Sequence, residues 1–162
     1  MNPHPSYSAD PLSRRDFVLN SGLALTAMGL GLSLPQKARS DNHLRVGLIG
    51  CGKRGGGAAV NIARASSNVR IVALADVFED QALKGLQQIQ SQIGSQIQVA
   101  KDHIFVGFDA YQKLIDSDVD IVLLATPPHF RPFHIEAAVK AGKHIFAEKP
   151  SAVDVPGIKR VF

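Results

Sequence analysis

The stretch LRVGLIGCGKRG, residues 44–55, decides the fold because it joins a short apolar run to a cluster of glycines. Gly50, Gly52 and Gly55 fit the pattern G-x-G-x-x-G, and residues 58–65 can form a helix after them. In this pattern the first glycine makes a tight turn, the second lets the backbone approach a pyrophosphate, and the third lets helix and strand pack closely. The stretch therefore predicts a strand, a turn and a helix whose N-terminus faces phosphates.

Two basic residues inside the turn are candidates for phosphate contact. Lys53 and Arg54 lie between the second and third glycines, where a positive charge suits a pyrophosphate. Arg54 is equally well interpreted as an exposed arginine without a role. Gly56 and Gly57 weaken the start of the helix and leave its first turn open. Because glycine-rich loops are commonly plain turns, the motif needs support from its context.

That support comes from Asp76, which ends a second apolar run 21 positions after Gly55. A carboxylate there accepts hydrogen bonds from the ribose hydroxyls of an adenosine moiety. It would also repel the 2′-phosphate of NADP, and residues 77–80 add two acids and no base. The residues thus predict NAD as the cofactor, with NADP the weaker candidate through a reoriented Arg54. A helix N-cap is the alternative role for Asp76, and the two roles are compatible.

The rest of the chain alternates between strand-like and helix-like patterns. The expected elements are strands at 44–49, 69–75, 104–106, 120–125 and 144–147, and helices at 58–65, 79–93, 110–115 and 132–141. Their spacing places Leu83, Leu86, Ile89 and Ile93 inward on one helix, and Ile135, Ala138 and Val139 inward on another. Short loops between alternating strands and helices predict an α/β fold with a doubly wound parallel sheet, a Rossmann-type domain over residues 41–150.

Composition and charge exclude several classes of protein. The net charge is +4, but residues 41–162 carry 14 Lys and Arg against 12 Asp and Glu, with no basic stripe. Nucleic acid is therefore not an expected partner. The single cysteine, Cys51, has no internal disulfide partner, and no Cys/His cluster has zinc spacing, so no metal site is expected.

The first forty residues have the features of a targeting segment. Arg14 and Arg15 precede an uncharged stretch that runs to Leu34, and residues 38–40 place small side chains where a signal peptidase cuts. The segment resembles a twin-arginine signal, which implies recognition by the twin-arginine export machinery, cleavage near Ser40 and a periplasmic location. An ordinary secretory signal is one alternative. An uncleaved signal that anchors the protein in the membrane is another.

Two further clusters follow the fourth and fifth predicted strands, at 125–129 and 148–150. Together with the glycine turn, they resemble the glucose-fructose oxidoreductase / inositol dehydrogenase family, Gfo/Idh/MocA. The matching elements are Gly-Leu-Ile-Gly-Cys-Gly at 47–52, Ala-Asp at 75–76, Thr-Pro at 126–127, Ala-Gly-Lys-His at 141–144 and Glu-Lys-Pro at 148–150.

The resemblance assigns roles to these clusters. It places Thr126, Pro127, His129 and Glu148 in contact with the cofactor, and it implies that Lys149 lies beside the nicotinamide as a catalytic residue. A lysine sheltered from water beside a cationic ring exchanges a proton more readily near neutral pH.

The residues around these clusters carry further expectations. The resemblance also implies that Pro150 is often cis, which would aim Lys149 into the cleft. Many family members have a histidine where this chain has Arg131, so a role for any single histidine is not assigned. We expect His134 to face solvent on its helix. We expect the phenylalanines at 130 and 133 to be packing residues rather than ligands for a substrate ring.

Three functions agree with these residues. The first is hydride transfer between a sugar or cyclitol carbon and nicotinamide. The second is a glycoside hydrolase that keeps NAD bound while it oxidises its substrate transiently. The third is a non-catalytic dinucleotide-binding fragment. The resemblance implies a further α/β substrate domain after a linker helix that begins at residues 151–162. We therefore expect the chain alone to be inactive. The resemblance also implies that the whole protein is a homo-oligomer.

Overall fold

The structure is a computed structural model that describes residues 42–162. The predicted signal at residues 1–40 and its cleavage site lie outside the described residues. The elements are β1 (Leu44–Ile49), α1 (Lys53–Ala65), β2 (Val69–Asp76), α2 (Glu79–Ile93), β3 (Ile104–Val106), α3 (Ala110–Asp116), β4 (Ile121–Leu124), α4 (Arg131–Lys140), β5 (His144–Ala147) and α5 (Val155–Val161). Two short 3₁₀ turns, Gly94–Gln96 and Lys101–His103, lie between α2 and β3.

The five strands form one parallel sheet in the order β3-β2-β1-β4-β5. This confirms the predicted doubly wound α/β fold. The chain winds outward from β1 to β3 and then returns to the other side of β1 to form β4. Ligands of such sheets bind at this switch point, at the carboxyl ends of the strands.

The sheet separates two apolar clusters because successive side chains of a strand point to opposite faces. One cluster joins one face of β1, β2 and β4 to the first two helices, and includes Val46, Leu48, Ile71, Leu74, Leu123, Val60 and Ile89. The other joins the opposite face to α3 and α4, and includes Ile49, Ala73, Val122, Leu124, Leu114, Ile115 and Ala138. Strands covered on both faces explain the near-continuous apolar runs of the sequence.

Three details of the predicted helices are wrong. Helix α1 begins at Lys53, directly after the turn, although it carries glycines in its first turns. On α2 the expected Leu83 is exposed, whereas the small residues Ala82 and Gly85 are buried. The cause is close packing, because a Cβ at Gly85 would lie 2.7 Å from the carbonyl oxygen of Cys51. On α4, Val139 is 63% exposed.

The last helix, α5, begins with a side-chain cap. The Asp154 carboxylate accepts a hydrogen bond from the backbone N–H of Gly157 at 2.7 Å and so caps α5. Within residues 42–162, no helix has the length and apolar character needed to cross a membrane.

Candidate functional site

The candidate residues lie at one edge of the sheet because all five strands are parallel. Asp76 is the last residue of β2, the glycine turn follows β1, and the Thr126 and Glu148 segments follow β4 and β5. Neighbouring strands are in register up to this edge, with Ile49 opposite Leu124 and Leu124 opposite Ala147. The fold therefore brings segments 94 residues apart, from Arg54 to Glu148, into contact.

The three glycines of the turn differ in their steric surroundings. Gly50 has φ +93°, and its N–H donates to the carbonyl of Ala75 at 2.8 Å, so this tight turn requires a residue without a Cβ. A Cβ at Gly55 would lie 1.9 Å from the carbonyl oxygen of Gly50. A Cβ at Gly52 would meet nothing within 4 Å. The space beside Gly52 is thus open, where the pattern requires a ligand to approach the backbone.

The start of α1 suits an anion. Its N-cap residue is Gly52, which offers no side-chain cap, and its first turn carries no acid. The first N–H groups of a helix lack intrahelical partners and carry a partial positive charge. Lys53 and Arg54 are exposed in this turn and add positive charge. Uncapped N–H groups, open space and basic side chains together fit the pyrophosphate of a dinucleotide.

Asp76 is fixed in place by two backbone donors. Its Oδ2 accepts from the N–H of Cys51 at 2.7 Å, and its Oδ1 accepts from the N–H of Phe78 at 3.1 Å. The N-cap position of α2 belongs to Phe78, so Asp76 is not the N-cap. The first bond joins the carboxylate to the glycine turn itself, which places a negative charge beside the proposed phosphate site. Such a carboxylate suits ribose hydroxyls better than a phosphate.

Cys51 is a packing residue of the turn. Its thiol is buried, and its Sγ lies 3.5 Å from the carbonyl oxygen of Ala75. Burial, aided by the nearby Asp76 charge, raises the pKa of the Cys51 thiol to about 12. The thiol is therefore protonated and unreactive at neutral pH.

Arg54 forms an ion pair across the edge. Its Nε lies 2.8 Å from Glu148 Oε1 and its Nη2 lies 3.1 Å from Oε2, so the contact has two parallel bonds. The Arg54 side chain is 75% exposed, whereas that of Glu148 is 9% exposed. Arg54 is therefore exposed, as one of the two interpretations expected, and it has a structural partner in Glu148. No local sequence pattern predicts this pair, because its members lie 94 residues apart in the chain.

Arg131 is a buried arginine for which the sequence patterns predicted no structural role. It is 5% exposed, and its Nε donates to the carbonyl of Thr126 at 2.8 Å. Its Nη1 donates to the carbonyls of Glu148 at 2.5 Å and Pro150 at 2.6 Å. Burial lowers the pKa of Arg131, and the attraction of the Glu148 carboxylate opposes that shift. The guanidinium keeps its charge, as arginine does in proteins.

His134 was expected to face solvent, and this is wrong. It is 7% exposed, its Nδ1 lies 3.2 Å from Thr126 Oγ1, and its ring stacks on Tyr111 at 4.2 Å. Burial lowers the pKa of His134 to about 4, so the ring is neutral at pH 7. The helical spacing of Arg131, His134 and Ala138 places all three on the inward face of α4. That spacing was the available signal.

The remaining candidates lie at the same edge with exposed side chains. Lys149 and His129 are exposed, and the Lys149–Pro150 peptide is cis, as expected. The expected shelter of Lys149 from water is not provided by the described residues. Phe130 and Phe133 are 40% and 45% exposed, so neither is a core residue. The Arg160 guanidinium lies 4.3 Å from the centre of the Phe133 ring.

The amino-acid sequence matches a known relative over most of this chain. A protein of Solibacter usitatus named Glycosyl hydrolase family 109 protein is 31% identical over 153 residues. The match covers 88% of this chain and 34% of that protein. The chain therefore spans about a third of the length of the relative.

Solved structures show the same fold. The scyllo-inositol dehydrogenase of Lactobacillus casei, solved with NAD(H) and scyllo-inositol, is 25% identical with a TM-score of 0.55. The match covers 74% of this chain and 32% of that one. A 3-ketoreductase of Actinomadura kijaniata, solved with NADP, is 28% identical with a TM-score of 0.54, over 74% of this chain and 34% of that one. Residues 44–162 match the oxidoreductase family with an NAD-binding Rossmann fold, GFO_IDH_MocA, and the chain belongs to that family.

Proposed function

We propose that this chain is the NAD(H)-binding part of an oxidoreductase that moves a hydride between nicotinamide and a hydroxyl-bearing carbon of a sugar or cyclitol. The observation that carries the proposal is the shared edge of the sheet. Three features lie at the carboxyl ends of three strands of one parallel sheet: a glycine turn with open space, a fixed carboxylate at Asp76 and the Lys149 turn. The order along the edge is that of an extended dinucleotide, from ribose to phosphate to nicotinamide.

The binding roles follow from this order. Backbone N–H groups of the Gly50–Gly55 turn, with Lys53 and Arg54, hold the pyrophosphate. Asp76 accepts hydrogen bonds from the adenosine ribose and disfavours a 2′-phosphate by charge repulsion. NAD is therefore the preferred cofactor, although a related ketoreductase was solved with NADP.

The catalytic role falls to Lys149. When the cofactor is bound, its nicotinamide ring is the group that would accept the hydride. Lys149 takes the proton of the substrate hydroxyl during oxidation and returns it during reduction, while Thr126, Pro127 and His129 form the neighbouring wall. A positioned general acid or base is worth about 10²–10⁴-fold in rate. Because Lys149 is exposed in the described residues, a further substrate domain would have to shield it.

The test uses the complete gene product and a panel of inositols and monosaccharides, with NADH formation as the readout. Lys149→Ala should lower kcat by about 10²–10⁴-fold while the affinity for NADH stays within a few-fold. Lys101→Ala, an exposed lysine of the 3₁₀ turn before β3, is the control. A loss below threefold for Lys149→Ala would remove this residue from the mechanism. The 162-residue chain alone should form no NADH.

A second function is favoured by one comparison, since the Solibacter relative is named a glycosyl hydrolase. In this alternative the same edge holds NAD throughout, and the substrate is oxidised, cleaved and reduced again. Release of sugar from a glycoside without net formation of NADH would select this alternative. Substrate-dependent accumulation of NADH would select the first.

Export to the periplasm is also proposed, on the Arg14-Arg15 pair before an uncharged stretch. The twin-arginine route exports folded proteins, so an exported chain could acquire its cofactor in the cytoplasm. Arg14→Lys with Arg15→Lys should retain the protein in the cytoplasm, measured by cell fractionation. Unimpaired export of that variant would reject this route.

A further inference from the structure

The ends of β4 and β5 diverge from regular pairing just where the proposed nicotinamide site begins. Their ladder ends with Leu124 opposite Ala147, followed by one bond from the N–H of Glu148 to the carbonyl of Leu124. Beyond it lie the two segments that carry Thr126 and Lys149. A backbone carbonyl that leaves a sheet needs a new donor if it is buried.

Arg131 supplies that donor to both segments. Its guanidinium bonds the carbonyl of Thr126 on one side and those of Glu148 and Pro150 on the other. Lys149 thus lies between Glu148 and Pro150, whose carbonyls both accept hydrogen bonds from the Arg131 side chain. The residue links the two strand ends after the ladder has stopped.

The identity of the residue matters for this link. A guanidinium presents several N–H donors in a rigid plane, whereas a lysine ammonium is a single point charge on a flexible stem. Because Arg131 and Glu148 are both buried, water does not readily replace the donor that the Glu148 carbonyl would lose. Removing the guanidinium would take the shared donor from all three carbonyls and let the two segments move apart.

Two further contacts extend the link. Glu148 attracts Arg131 and binds Arg54 at the start of α1, so the segment after β5 is also tied to the phosphate turn. His134 independently contacts the hydroxyl of Thr126. The Thr126 backbone and side chain are therefore both held by residues of α4.

We propose that Arg131 is a positioning residue that locks the Thr126 and Lys149 segments together and so sets the geometry of the nicotinamide half of the site. The inference rests on the proposed function, because it assigns that half of the edge to nicotinamide. In this role Arg131 itself contacts neither cofactor nor substrate. Its effect is transmitted through the backbone of the two segments.

The test compares two probes on the 162-residue chain. NADH reports on both halves of the site, and its fluorescence reports on the nicotinamide ring. AMP reports on the adenosine half alone, which lies at Asp76 on the other side of β1. Arg131→Met should weaken NADH binding about tenfold, the equivalent of about 1.4 kcal/mol, while AMP binding changes less than twofold.

Two variants sharpen the measurement. Arg131→Lys keeps the charge without the planar donors and should give a smaller loss of NADH binding, about threefold, with AMP again unchanged. It carries the test if Arg131→Met does not fold. Arg160→Met removes the partly exposed guanidinium of α5 and should leave both probes unaffected.

Each outcome decides something. Equal losses for NADH and AMP would show that Arg131 acts only through general stability, and unchanged NADH binding would show that it has no role; both results overturn the inference. If wild type binds AMP and NADH equally well, with no change in nicotinamide fluorescence, the assignment of this half to nicotinamide fails. If wild type binds neither probe, the proposed function itself fails.

Discussion

At the ends of β1 and β2 the candidate site is made of backbone, whereas at the ends of β4 and β5 it is held by buried polar side chains. The first half consists of a glycine turn and a carboxylate bound by two N–H groups. The second half depends on Arg131, His134 and Glu148, which have relative exposures of 5%, 7% and 8%. The same edge of one sheet is therefore stabilised by two different kinds of interaction.

The difference has physical consequences. A backbone-built turn tolerates no added atom where chain segments touch, so its weak point is steric. A site held by buried polar groups depends on charge and hydrogen bonding, so its weak points are protonation and loss of a partner. Substitutions in the first half should act on the free energy of unfolding through crowding. Substitutions in the second half should change the free energy of unfolding through lost ion pairs, or should change how that free energy depends on pH.

The largest effect is expected for Gly55→Ala. The new Cβ would lie 1.9 Å from the carbonyl oxygen of Gly50, a backbone atom that cannot rotate away. We expect a loss of about 2–4 kcal/mol in the free energy of unfolding, measured by urea denaturation, with loss of NADH binding.

Gly57→Ala is the matched control on the same helix. A Cβ there meets nothing within 4 Å, and alanine has the higher helix propensity. This variant should be unchanged or more stable by up to about 1 kcal/mol. Similar stabilities for the two variants would contradict the steric account of the glycine turn.

The same contrast explains how far the sequence predicted the site. The sequence predicts Gly50, Gly52 and Gly55 because all three lie within six residues of chain, where a local motif can be recognised. The strand alternation likewise follows from runs of apolar residues. The Arg54–Glu148 pair could not be predicted because its members lie 94 residues apart. The role of Arg131 could not be predicted because its partners are backbone carbonyls, which no side-chain pattern identifies. On α2, Leu83 was wrongly placed inward, because close packing at Gly85 rather than hydrophobicity sets the buried face.

The second prediction concerns His134 and pH. Its folded pKa of about 4 lies below its ordinary value of 6.5, so the unfolded chain binds the proton more readily. The stability that neutral His134 contributes is complete above pH 6.5 and is lost as the pH falls toward 4. Between pH 7.5 and 5, wild type should lose about 1–2 kcal/mol more than His134→Gln. Parallel pH profiles for the two proteins would count against a buried neutral histidine.

A smaller effect is expected for Glu148→Gln. The substitution weakens the bond to Arg54 and removes the charge that attracts Arg131. Because Arg54 is 75% exposed, solvent screens much of the pair, and we expect a loss of about 1 kcal/mol in the free energy of unfolding.

Asp80→Asn is the control for that substitution, because it breaks the exposed pair with Lys84. It should cost no more than about 0.5 kcal/mol. Equal costs in thermal or urea denaturation would show that Glu148 is only a surface partner. A cost for Glu148→Gln well above that of Asp80→Asn would confirm the second half of the edge as an electrostatic structure.

The central claim, that this edge binds NAD through Asp76, is tested most directly by titrating NADH and NADPH into the 162-residue chain. The account predicts that NADH binds about tenfold or more tightly, a difference of about 1.4 kcal/mol. Asp76→Asn keeps an acceptor for the N–H of Cys51 but removes the charge, and it should narrow that preference. Equal or tighter binding of NADPH by wild type would contradict the role assigned to Asp76.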